Sequence, residues 1–122
     1  MKRLKRKADV FILMTHQGAD LDYVIAEKIK GLDVIIGAHS QSALEKPEIV
    51  NGSLITQAGK EGYYIGVIEL LIKKGKVASQ IGKIDTMKLE MPDDPTIMGM
   101  IEEYEKRSGR INHRKLDLKG NH

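Results

Sequence analysis

Two short apolar runs break off in the same way. DVFILMT (residues 9–15) stops at His16-Gln17-Gly18, and DVIIG (33–37) stops at Ala38-His39-Ser40-Gln41. An unbroken run of this kind is the pattern of a strand covered on both faces, as in parallel or layered α/β sheets. Between the two, Leu21, Val24, Ile25 and Ile29 recur at spacings of three and four. That spacing predicts a helix with one buried stripe, capped by Asp20 and ended by Gly31. Strand, helix and strand form a βαβ-like unit, and both strands end in a small-residue turn that carries a histidine. Sites in such sheets lie outside the carboxyl ends of the strands.

The period changes from Glu48 onward. IVNGSLITQAG (49–59) sets Asn51-Gly52 between short apolar runs, a hairpin signal, and YYIGVIELLIKKGKVASQIGKI (63–84) predicts two longer strands joined at Lys74-Gly75. The second half therefore reads as antiparallel. A closing helix starts at the cap Asp94 with Pro95 in its first position, and carries Ile97, Met98, Ile101 and Tyr104 on one face. Residues 2–7 read as the last turn of a helix with Leu4 as its apolar contact, and the chain beyond Ser108 as a polar, frayed tail.

A chain of 122 residues with 41% apolar content can bury one modest core, so one domain is the ceiling. It has no cysteine, which excludes disulfides and thiolate metal sites. The basic opening imitates a signal peptide, but its apolar segment Val10–Met14 is too short and no small-residue cleavage site follows. No apolar run approaches the roughly 20 residues that span a bilayer, so the sequence reads as soluble, with no membrane partner. The net charge of +3 is concentrated in KRLKRK (2–7) and KRSGRINHRK (106–115), while the middle is balanced and poor in aromatics. Solvated ends account for this better than a nucleic-acid face.

The residues with chemical potential are His16, His39 and Gln41. If the two strands share a sheet, their tips approach, and two neutral imidazoles with an amide oxygen could converge on a cation. Gly37, Ala38 and Ser40 would let the backbone come close. Taken from the residues alone, hydrogen-bonded structural histidines remain the competing reading.

The succession of THQG, a capped helix, GLDVIIGAHSQ and NGSLITQAGKEGYYIGVIEL closely resembles the C-terminal part of the catalytic domain of the 5'-nucleotidase branch of calcineurin-like metallophosphoesterases, over residues 4 to about 106. The resemblance implies a four-layered α/β/β/α fold with a two-metal site that hydrolyses phosphate monoesters such as nucleotides. The fold class expected here is α/β: a partial, metallophosphoesterase-like layered sandwich, with a βαβ unit followed by antiparallel strands and a C-terminal helix. Residues 1–108 would be the C-terminal portion of the catalytic domain, including helix 94–107 as a linker toward a separate substrate-binding domain, and 109–122 a polar tail. By the same resemblance, His16 matches the family's isolated metal-binding histidine, His39 the first histidine of its Gly-His-Ser-His motif, and Gln41 the last member. Ala38 stands where the family usually has a second glycine. Two imidazoles and an amide oxygen suit Zn²⁺, Mn²⁺, Co²⁺ or Fe²⁺ alike.

A pair of divalent ions also needs anionic ligands to offset their mutual repulsion. The family's Asp-x-His, Gly-Asp and Asn-His-Glu/Asp motifs do not occur in this sequence. Asp20 and Asp22 fit a helix cap and first turn rather than ligands, and the terminal Gly120-Asn121-His122 spells the start of the Asn-His motif only by coincidence. No catalytic residue is assigned, and turnover is not expected from this chain alone. One reading is a partial phosphohydrolase whose partner is the missing N-terminal half. The alternative is a non-catalytic remnant that forms a homo-oligomer and binds a divalent ion. Relatives are often periplasmic or extracellular, but nothing in this sequence directs export.

Overall fold

The computed structural model describes residues 7–109. The expectations for residues 2–6 and 110–122, the opening basic turn, the polar tail and the terminal Gly-Asn-His, fall outside them. Two compact units divide at Lys88 and Leu89. The first contains β1 (Ile12–Met14), α1 (Ala19–Lys28), β2 (Val34–Ile36), β3 (Glu48–Val50), β4 (Ser53–Thr56), β5 (Tyr64–Lys73) and β6 (Lys76–Thr86); the second contains α2 (Pro95–Ser108). This is a mixed α/β chain.

The first four strands form one sheet in the order β1-β2-β4-β3. β1, β2 and β4 are parallel, with Met14 level with Ile36 and Ile36 level with Thr56. β3 and β4 form the expected hairpin at Asn51-Gly52, where both residues have positive φ, 50° and 86°. That geometry suits the twist of the flanking strands, and Asn and Gly adopt it most readily. The Asn51 side chain also reaches across to α1, donating to the carbonyls of Ala26 at 3.1 Å and Glu27 at 3.3 Å. These belong to the last turn of the helix, whose carbonyls have no partner within it.

The antiparallel reading of the second half holds for β5 and β6, which pair along their length and turn at Lys74-Gly75. It does not extend to β4, which is antiparallel to β3 but parallel to β2. The core lies where helix and sheet meet: Ala26, Leu32, Ile35 and Ile55, flanked by Phe11, Leu13, Tyr23 and Ile25. Burying each large aliphatic side chain here contributes about 1.5–3 kcal/mol. The Tyr23 hydroxyl is held above its ordinary pKa, first by burial and then by the charge of Glu48. On the other face of the sheet the hairpin closes in at Gly82, where a Cβ would meet Pro47 and the Leu54 side chain at 3.0 and 3.1 Å.

Three local expectations are corrected. β1 is covered on one face only: Leu13 packs against the core, while Ile12 and Met14, on the opposite face, are 54% and 80% exposed. The cap of α1 is Gly18 and not Asp20; no side chain caps the helix, and it ends at Lys28, three residues before Gly31. Its buried residues are Asp22 and Ala26, whereas Leu21, Val24 and Ile29 face solvent. The closing helix follows expectation: the Asp94 carboxylate accepts from the backbone N–H of Thr96 at 2.8 Å and Ile97 at 3.1 Å, with Pro95 in the first turn. Among the described residues no helix is long and apolar enough to cross a membrane.

Candidate metal centre

Because Met14, Ile36 and Thr56 lie in one row, the next residues, Thr15, Gly37 and Gln57, open their loops side by side at the carboxyl edge. The backbone ladder runs on past the strands: Thr15 N–H donates to Ile36 O at 3.0 Å, and Gly37 N–H donates to Thr56 O at 2.8 Å. The loops after β1 and β2 are then tied together. Gly18 N–H donates to Ala38 O at 3.1 Å, and Ala19 N–H, in the first turn of α1, donates to Ser40 Oγ at 3.2 Å.

This lattice brings His16 and His39 together. Their ring centroids are 5.2 Å apart, with planes at 72°, and both residues are exposed. His39 has φ of 80°, and Gln41 has φ of 56°, both in the left-handed region that non-glycine residues rarely occupy. Gln41 is exposed on the same loop, and among the described residues its side chain makes no hydrogen bond to either ring. The structure therefore joins two of the three anticipated residues and leaves the third beside them.

Two imidazoles bound to one tetrahedral ion at about 2.0–2.1 Å have ring centroids roughly 5 Å apart, so the spacing of His16 and His39 fits a shared divalent ion. The donor set fits one ion better than two. Two divalent ions about 4 Å apart repel by on the order of 15 kcal/mol at an effective dielectric near 20, and imidazole and amide donors bring no negative charge against that. Among the described residues no group of three or more His, Cys, Asp or Glu side chains is placed to hold a metal.

Two buried polar residues bond to the loops that carry the rings. Asp22, 1% exposed, accepts from Thr15 Oγ1 at 2.6 Å and Gln17 Nε2 at 3.5 Å. Gln57, 2% exposed, donates from Nε2 to Ala38 O at 3.0 Å; its Oε1 accepts from Ser40 Oγ and from Ser42 N–H, each at 2.7 Å. The two meet at Gly37, where a Cβ would fall inside the Asp22 carboxylate and 3.0 Å from Gln57 Nε2. Sequence reasoning gave Asp22 only a helix-turn role and passed over Gln57. The available signal was slight: an amide residue directly after the short strand Ser53–Thr56, in the row of Gly37.

No protein-family signature matches the chain. Sequence relatives include an uncharacterized metallophosphoesterase, YunD, of Bacillus subtilis, 36% identical over 69 residues, which covers 57% of this chain and 15% of that protein. The 5'-nucleotidase of Diplobatis ommata is 26% identical over 116 residues, covering 80% of this chain and 20% of the relative. Among solved structures, the sulfate thiohydrolase SoxB of Thermus thermophilus superposes with a TM-score of 0.75 at 21% identity, over 87% of this chain and 20% of its own. The chain thus spans about a fifth or less of each of these proteins. Fold and relatives together define a metallophosphoesterase-type α/β chain. Its likeness to proteins named metallophosphoesterase and 5'-nucleotidase is consistent with the C-terminal part of a 5'-nucleotidase-like domain.

Proposed function

We propose that this chain supplies the His16, His39 and Gln41 portion of the metal site of a 5'-nucleotidase-like phosphohydrolase acting on phosphate monoesters such as nucleotides. The observation that supports this reading is the pairing of two exposed imidazoles at 5.2 Å on the tips of adjacent parallel strands. His16 and His39 would hold the ion through ring nitrogens, and Gln41 would add an amide oxygen. A divalent ion held there would supply Lewis-acid polarisation of a phosphoryl oxygen. The carboxylate ligands, and the group that protonates the leaving oxygen, come from outside these 122 residues, on another segment or another chain. Residues 1–108 form the C-terminal catalytic portion, and helix 94–107 leads toward a substrate-binding domain.

The test fuses or mixes the chain with the amino-terminal half of a 5'-nucleotidase-like catalytic domain and measures Mn²⁺- or Zn²⁺-dependent phosphate release from AMP. Activity is expected, and His39→Ala is expected to lower it by more than the roughly 10–100-fold typical of residues that only support a ligand. A well-folded product with no metal-dependent activity would defeat the reading.

A further inference from the structure

The two rings, set edge to face, are held by residues that hydrogen-bond to neither. His16 sits between Thr15 and Gln17, and both neighbours donate a side-chain hydrogen bond to one carboxylate, that of Asp22. His39 sits between Ala38 and Ser40, and both neighbours bond to one amide, that of Gln57. Each histidine is thus gripped from either side by a single buried polar group, and the two groups abut at Gly37. We propose that Asp22 and Gln57 are the positioning residues of the His16–His39 pair, fixing the separation of the rings before any ion binds.

Backbone conformation supports this. His39 and Gln41 occupy the left-handed region at a cost of about 1–2 kcal/mol each, and such conformations persist only where the surroundings over-determine them. Gln57 makes three hydrogen bonds into that loop, to residues 38, 40 and 42. The cross-loop bonds from Gly18 to Ala38 and from Ala19 to Ser40 then carry the constraint to the loop of His16. Burial points the same way. A buried carboxylate costs more than an apolar side chain would at the same place, so the value of Asp22 lies in the bonds it accepts. Among the described residues no fully buried side-chain polar atom lacks a hydrogen-bond partner.

The test uses the whole chain, metal-free, with isotopically labelled histidine. The nuclear Overhauser effect between the two imidazoles reports ring separation, calorimetry with Co²⁺ reports affinity, and urea unfolding reports stability. Asp22→Asn and Gln57→Met are the direct variants. Thr15→Val, which deletes the hydroxyl with little change of shape, and Thr15→Ser, which keeps it, serve if a direct variant does not fold. Asp22→Asn, Gln57→Met and Thr15→Val are each expected to weaken the cross-ring signal and to lower Co²⁺ affinity about 10–100-fold, the usual effect of losing a ligand's support. Thr15→Ser is expected to retain both. Folded variants with unchanged signal and affinity would overturn the proposal, as would Thr15→Ser behaving like Thr15→Val, or a wild-type protein lacking the cross-ring signal. Only the affinity measurement rests on the metal reading. A wild type that binds no Co²⁺ but loses its ring contact in Thr15→Val would sink that reading and leave the positioning roles standing.

Discussion

All four residues of β4 are buried, whereas no residue of β5 or β6 is. Both regions are strand, and both carry isoleucine and leucine. What differs is cover. β4 has α1 on one face and the hairpin on the other, while the hairpin has the sheet on one face and leaves Ile65, Leu71 and Ile81 about half exposed or more. Where a segment is enclosed, its polar atoms must find partners within the protein, and those partners become the loops of the site. Ser53 donates to Leu32 O at 2.8 Å, and Gln57 bonds three ways. The hairpin can intersperse Lys83, bridged to Asp85 at 2.8 Å, because water reaches both. Such an exposed pair adds little stability.

The sharpest way to break this contrast is at the sheet centre. Ile35→Ala, at a site with no exposure, is expected to cost about 2–5 kcal/mol in urea unfolding; a loss below about 1 kcal/mol would mean that the sheet is looser than its burial implies. Next in size is Gly37→Ala. Its methyl would collide with the Asp22 carboxylate, so a loss of about 1–3 kcal/mol is expected, together with a changed His16–His39 ring contact by nuclear magnetic resonance. Smallest is Ile81→Thr on the hairpin, expected to move stability by less than about 0.5 kcal/mol. A large loss there, or a shift to smaller size on gel filtration, would indicate that a second copy covers the hairpin in solution.

Much of the site was legible in local sequence, because strand ends and turns announce themselves. The apolar runs ending at Thr15 and Gly37, the Asn51-Gly52 turn and the Asp94-Pro95 start each follow from residue chemistry within a few positions. The rest depended on partners distant along the chain. Leu21, Val24 and Ile29 have the spacing of a buried stripe, yet the sheet receives the Asp22 and Ala26 face instead, a choice that depends on what the helix packs against and not on its own period. The parallel pairing of β4 with β2 is a crossover that no local period encodes. Gln57 was missed for the same reason: its three partners are fifteen to nineteen residues away.

The turn between β3 and β4 has a consequence for which sequences this fold can accept. Position 51 must adopt positive φ and also donate to two carbonyls at the end of α1. Glycine satisfies only the first demand. Aspartate tolerates the backbone but would present a carboxylate to carbonyl oxygens, so repulsion would replace the two bonds. Asparagine alone among these three meets both requirements, which leaves this surface residue with less freedom to vary than its exposure suggests.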